Sequence, residues 1–373
     1  MKSSDSVTRR QLAAVGFVSL FAPMIRRFPR AAVLLAGRTA WLAAPLAAIP
    51  LAAVLGLWAL LLCRKTAGAG FQDILRAVFG KALGKGLVLL YGLWFVFYAG
   101  FSFRSGAARF VSTVYPGAGP WVFILCSLPL GALAAMGGFR VLGRCAMVLR
   151  PLLFAVPALL LILSLKELDM GLLLPVTRGD LLPNGRAALE IANLLGVAGY
   201  LAFAGDRAET PFRMREFAVW DAALLAVVGG ITAVCLGMFG PALTEKLAYP
   251  LFMLARDTNA LGALERMEPL ILAIWIFSDF VLITAMLWLA GRNLRFVFSL
   301  PEPEPGQHVG DFRRGRWTGG LCTALSFAAA LAIPEDFRAF YRISEFWVPC
   351  VNAVMAFALP ALTLLVGKLR RRV

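Results

Sequence analysis

The sequence predicts an all-α polytopic membrane protein with about ten transmembrane helices. Two observations carry this. First, 60% of the 373 residues are apolar. They gather into runs such as Leu87–Phe103, Trp121–Met136, Leu152–Leu165, Ala218–Met238, Pro269–Ala290 and Trp347–Val366, which approach or reach the roughly 20 residues that a bilayer crossing needs. Second, the basic residues are unevenly placed. With an inside N-terminus and ten crossings, about 23 of the 37 Lys and Arg fall in inside segments, the positive-inside pattern. Both termini are therefore expected in the cytoplasm. Short loops leave no room for a soluble domain, so residues 1–373 are read as one transmembrane domain.

Along the chain, the first run (Gln11–Ile25) meets Pro23 and then Arg26, Arg27, Pro29 and Arg30. A proline removes a backbone donor and crowds the preceding turn, so a helix broken in its middle is expected, against a short helix followed by a surface loop. No small-residue cleavage pattern precedes Arg26, and no cleavable signal peptide is expected. Run two is Thr39–Cys63. In the loop after it, Phe71–Phe79 has helical spacing and is expected at the membrane interface. Run three (Gly86–Phe103) is rich in aromatic residues and continues into a basic helical end with Arg104 and Arg109. Runs four and five follow, then a long outward loop, Lys166–Gly185. Run six (Arg186–Ala204) is weak: it carries Glu190, Asn193, Gly196 and Gly199 and ends at Asp206. Irregular backbone at membrane depth is tolerated only where it is buried in protein or lines a cavity. Runs seven and eight enclose an outward segment, Pro241–Met267. A turn-rich polar loop holding the Pro-Glu-Pro-Glu-Pro stretch at 301–305 precedes runs nine and ten.

Several function classes drop out. The net charge of +16 follows from loop topology, and no soluble module exists to present a basic face to nucleic acid. The six cysteines are scattered without ligand spacing, and His308 is the single histidine. No metal and no cofactor are expected, and no catalytic set of paired carboxylates or nucleophile and base stands out.

The interrupted runs, one and six, hold matching places in two five-helix halves, residues 1–165 and 186–373. Paired interrupted segments point to a midplane binding site in inverted-repeat transporters. Freed backbone donors there suit a carboxylate and freed acceptors suit an amine, so a zwitterionic amino acid fits both. Asp279 is the one acid inside a strong run, and a carboxylate at that depth usually faces the bundle or water. Asn193 and Asn352 read as interhelical hydrogen-bond partners, and the cluster of Glu265, Arg266 and Glu268 as an interfacial anchor.

Leu264–Phe277 reads LERMEPLILAIWIF, preceded by YPLFMLAR at Tyr249–Arg256, with Leu174-Pro-Val, Gly179 and Pro183 before run six and TRRQL at Thr8–Leu12. In these segments the chain resembles the B subunit of spore-germination nutrient receptors, the endospore germination permease family. The resemblance implies the amino acid–polyamine–organocation superfamily and a leucine-transporter-like fold of ten helices with broken helices one and six. It also implies a place in the inner spore membrane, and a germination receptor A subunit and lipoprotein C subunit as partners beside the lipid. The chain departs from the family where Arg26, Arg27 and Arg30 enter the first helix and where Tyr200 stands in place of an expected acid.

The reading is thus a membrane subunit that senses a small nutrient, an amino acid, between helices one, three, six and eight and signals germination. Candidate contacts are Ala22, Pro23, Phe97, Tyr98, Gly196, Gly199, Tyr200 and Asp279. The alternatives are a secondary amino-acid transporter coupled to an ion through Asp279, and a degenerate receptor subunit that binds nothing.

Overall fold

The structure is a computed structural model that describes residues 6–62, 69–115, 117, 119–126, 138–209, 214–257, 267–300 and 317–372. Among the described residues the regular structure is helical, apart from one isolated bridge between Val7 and Ala208. The elements used below are α1 (Arg9–Ala36), α2 (Ala48–Leu62), the short α3 (Phe71–Phe79), α4 (Lys81–Thr113), α5 (Phe139–Ser164) and α6 (Leu181–Leu195). They continue with α7 (Met214–Thr244), the short α8 (Pro250–Asp257), α9 (Glu268–Phe298), α10 (Trp317–Ala332) and α11 (Arg338–Leu369). The expectations for Cys63, Glu265, Arg266, His308, the 301–305 stretch and residues 127–136 of the fourth run lie outside the described residues.

Seven described stretches are long and apolar enough to cross a membrane, and α10 is a shorter apolar helix. The chain is an integral membrane protein. The first stretch, Arg9–Leu62, holds 54 residues. As one straight helix it would run about 80 Å, far beyond the roughly 30 Å hydrocarbon core. It turns instead at Gly37, whose positive φ of 58° suits a residue without Cβ. A 3-10 turn over Gly37–Leu42 then leads toward α2.

The expected break in the first helix is absent. α1 runs without interruption for 28 residues, with Pro23 and Pro29 inside it. Its coherence has a specific cause on α9. The Ser278 hydroxyl accepts from the Ala22 N–H at 2.9 Å and donates to the Val18 carbonyl at 2.5 Å. A side chain inserted into the i to i−4 ladder can open a helix without ending it, and here it does so one residue before Pro23. The sixth run does change form. α6 gives way at Gly196 to a 3-10 helix, Gly196–Arg207, in which Ala204 departs from helical geometry (φ −98°, ψ 15°). Runs of 3-10 winding rarely exceed about four residues, so this 12-residue segment is an unusual one.

Two further stretches singled out in the sequence are helical. The basic helical end with Arg104 and Arg109 is present: α4 continues to Thr113, and the two arginines are buried, 5% and 2% exposed. α3 has the helical form expected of Phe71–Phe79. It buries Phe71, Gln72, Ile74, Leu75 and Val78 against the bundle, because its apolar residues share one face.

Replacing Ser278 by Ala removes both bonds to α1 and is expected to destabilise the protein by about 1–2 kcal/mol. Thermal unfolding in detergent measures this. An unchanged Tm would show that α1 closes its ladder unaided.

Candidate functional site

Ser278 and Asp279 are neighbours on α9, and together they fasten three helices. The Asp279 carboxylate accepts from Arg26 of α1 at 3.3 and 3.4 Å. It also forms a tight ion pair with Arg109 of α4. The Arg109 guanidinium lies 5.2 Å from the Trp275 ring centroid. All three charged groups are largely shielded, with side-chain exposures of 13% for Arg26, 2% for Arg109 and 10% for Asp279. A buried charge persists at such depth only when it is paired. Asp279 is therefore the counter-ion of two guanidinium groups.

Beside this clip lies a cavity of about 300 Å³ between α1, α4, α6, α9, α11 and the segment that joins α7 to α8. This is at the lower end of the range for small-molecule sites. α1 presents Pro23, Arg26, Arg27 and Arg30, and α4 presents Tyr98 and Ser102. Glu190 and Asn193 come from α6, Lys246 from the α7–α8 segment, and Glu345 and Asn352 from α11. Charges of both signs thus face one space. Arg27 binds Glu345 at 2.9 Å, and the Arg30 Nε–H donates to the Glu245 carbonyl at 2.9 Å.

The floor is a chain of hydrogen bonds. Asn352 donates to the Asn193 backbone carbonyl at 2.6 Å and to its side-chain oxygen at 3.0 Å, and Asn193 donates to the Pro349 carbonyl at 2.9 Å. Tyr200 donates to Asn352 Oδ1 at 2.6 Å and accepts from Trp94 Nε1 at 3.0 Å. α11 contains two π-helical segments, Ile343–Trp347 and Val354–Ala358. Such widened turns recur at functional sites. Near them, the carbonyls of Pro349 and Met355 accept from side chains of other helices, Asn193 and Tyr91.

Beneath the floor, Phe71, Tyr91, Phe95, Tyr200 and Phe203 pack with ring centroids 4.9–6.3 Å apart. Beyond them Arg292 binds Asp206 at 2.5 Å, and the Val7 N–H donates to the Arg207 carbonyl at 2.9 Å. Among the described residues these contacts tie the bundle together on the side of the N-terminus, and the hollow lies on the other.

Of the residues singled out from the sequence, Pro23 and Tyr98 line the cavity. Asp279 sits behind its wall and reaches it through Arg26. Ala22 is fully buried against Ser278. Phe97 stacks on Trp94 with centroids 5.7 Å apart and is not among the lining residues. Tyr200 lies under the floor. Gly196 marks the junction of α6 with the 3-10 segment, where a Cβ would come within 2.7 Å of the Phe357 ring. Gly199 faces Trp58 on the opposite side, in a separate small cavity. Asn193 and Asn352 do bond across helices, and they also face the cavity.

Sequence reasoning missed Arg27, Arg30, Lys246 and Glu345 as cavity residues. A signal was present: Pro23, Arg27, Arg30 and Leu34 follow one helical face, as do Glu345, Pro349 and Asn352. Among the described residues no group of His, Cys, Asp and Glu could hold a metal.

The fold is shared with solved cation-coupled transporters. The structure of MHP1, a nucleobase–cation-symport-1 family transporter in a closed conformation with bromovinylhydantoin bound, matches with a TM-score of 0.65 at 14% identity, over 100% of this chain and 80% of that one. A Na+-coupled sialic acid symporter in a substrate-bound outward-open state matches with a TM-score of 0.63 at 14% identity, over 95% and 80%. The inward-facing conformation of Mhp1 gives 0.55 at 15% identity, over 98% and 78%. These are leucine-transporter-like folds, and at such identities the likeness is one of fold alone. No curated protein matches the chain. Residues 7–305 match the spore germination protein family of permeases, which is not a family of enzymes, and the chain belongs to that family.

Proposed function

We propose that this protein is the membrane subunit of a spore germinant receptor and that it senses a small nutrient, an amino acid, in the 300 Å³ cavity. The observation that carries the reading is the pairing of charges in that space. Arg27, Arg30 and Lys246 offer donors to a carboxylate, while Glu190 and Glu345 offer acceptors to an ammonium group. Tyr98 and Phe101 supply apolar wall for a side chain. Of the residues read from the sequence, Pro23 and Tyr98 are proposed as direct contacts. Ala22, Gly196, Tyr200 and Asp279 shape the wall and floor, and Phe97 and Gly199 act at one remove.

Binding would favour one arrangement of the bundle over another, and a receptor A subunit and lipoprotein C subunit would read the change. The chain is placed in the inner spore membrane with both termini cytoplasmic, which turns the hollow side outward. Ten crossings in two inverted five-helix halves, residues 1–165 and 186–373, complete this reading. A second reading is secondary amino-acid transport coupled to an ion, supported by the fold shared with two cation-coupled symporters. Against coupling at Asp279 stands its engagement by two arginines. A subunit that binds no ligand is the third reading, motivated by the arginines that α1 sends into the cavity.

Titration calorimetry of purified protein against a panel of amino acids tests the site. At least one is expected to bind, and Arg27→Ala or Glu345→Gln to weaken it by about tenfold or more, about 1.4 kcal/mol. Equal binding by wild type and both variants would remove the cavity as the site, and no binding by any protein would favour the non-binding subunit. Proteoliposomes separate sensing from transport: the sensor binds without accumulating ligand, whereas concentrative uptake would establish the transporter. Asp279→Asn is expected to destabilise the fold by on the order of 3 kcal/mol, because two buried arginines lose their counter-ion. A melting curve in detergent reads this directly.

A further inference from the structure

The charges around the larger cavity do not balance. Among the described residues four cations line it, Arg26, Arg27, Arg30 and Lys246, against two carboxylates, Glu190 and Glu345. Asp279 stands behind the wall and answers Arg26, but it is shared with Arg109. With that pair included, five cations meet three carboxylates. Arg27 has its own counter-ion in Glu345 at 2.9 Å. The excess of two positive charges therefore falls on the Arg26–Arg109 clip and on Arg30 and Lys246, with Glu190 as their remaining offset.

Arg30 and Lys246 are neighbours. Arg30 lies one turn beyond Arg27 on the same face of α1, about 4.5 Å further along the axis. Its Nε–H donates to the carbonyl of Glu245, the residue before Lys246. The Tyr341 ring of α11 lies with its centroid 5.9 Å from the guanidinium carbon. The stem of the guanidinium is thus held, while among the described residues no carboxylate pairs with it. None pairs with Lys246 either. The side chain of Glu245 is not part of the lining.

A neutral zwitterion would leave this excess as it is, and a basic amino acid would add to it. Like charges around a partly enclosed space repel more strongly than they do in water, so a ligand of net negative charge gains most by entering. A simple inorganic anion would answer the excess but would meet Glu190 as a like charge, whereas an ammonium group meets it as an opposite one. We propose, resting on the sensing role assigned to the cavity above, that the nutrient is an acidic amino acid, aspartate or glutamate. Its amino-acid end lies against the Arg27–Glu345 pair and Glu190, and its side-chain carboxylate against Arg30 and Lys246. A carboxylate can accept two parallel hydrogen bonds from one guanidinium. A side-chain amide has a single acceptor oxygen and cannot.

Titration calorimetry of the full chain in lipid nanodiscs tests this with L-glutamate and L-aspartate against their own amides, L-glutamine and L-asparagine. Each pair differs in one charged group. At least one acid is expected to bind tenfold or more tightly than its amide. In Arg30→Gln and in Lys246→Gln that ratio should fall toward one. Glutarate, which keeps both carboxylates and lacks the amine, should bind more weakly than glutamate. Should Arg30→Gln fail to fold for want of its bond to Glu245, Lys246→Gln carries the test, because its side chain makes no such bond.

Amides that bind as tightly as the acids would overturn the proposal, and so would an acid preference that survives the substitutions. The sensing role would outlive either result if Arg27→Ala weakens whatever amino acid binds. Glutarate or inorganic phosphate binding as tightly as glutamate would also overturn it, since the excess charge would then take anions without reading an amine. Binding of no amino acid at all would remove the sensing role, and this proposal with it.

Discussion

Ser278 and Asp279 are the point on which the arrangement of the bundle turns. Lipid offers no hydrogen-bond partners, so a helix that carries prolines through a membrane must have its freed groups met from inside the protein. Ser278 does this for α1 at the turn before Pro23. The next residue then compensates a problem of charge. Arg26 and Arg109 could not be buried beside each other without Asp279 between them. One two-residue step of α9 thus meets the backbone of α1 before Pro23 and ties α1 to α4. Packing adds to this, because helices in lipid associate through close contact and polar bonds rather than through a hydrophobic drive.

With α1 and α4 tied in this way, the opposite wall of the cavity carries the least regular backbone. α6 loses its α winding at Gly196, and α11 carries two π-helical segments. Both devices alter which carbonyls a helix satisfies for itself. The free capacity is taken up across the floor, where Asn193, Asn352 and Tyr200 exchange bonds between these two elements and α4. A ligand seated against Glu345 and Asn352 would therefore bear on the least regular backbone of the bundle.

The apolar runs were legible in the sequence because crossing a bilayer imposes length and composition on each segment alone. The change of form at run six was legible for the same local reason: Gly196, Gly199 and the polar residues around them cannot make a good lipid-facing helix. The continuity of α1 was not, because it depends on a serine 256 residues away. Proline in isolation predicts a break, and tertiary contact overrides it. The charge of the cavity was hidden in a similar way. Arg27 and Glu345 look like interface residues until their helices are brought together at 2.9 Å.

The 3-10 segment Gly196–Arg207 runs between the two cavities of the molecule. Tyr200 stands on one side of it, bonded into the floor of the larger cavity. Gly199, the preceding residue, stands on the other, pressed against the Trp58 indole. A 3-10 helix has poorer bond geometry than the α form, and this one is kinked at Ala204. Any rotation about its axis would move Tyr200 and Gly199 together, in opposite directions relative to the two cavities.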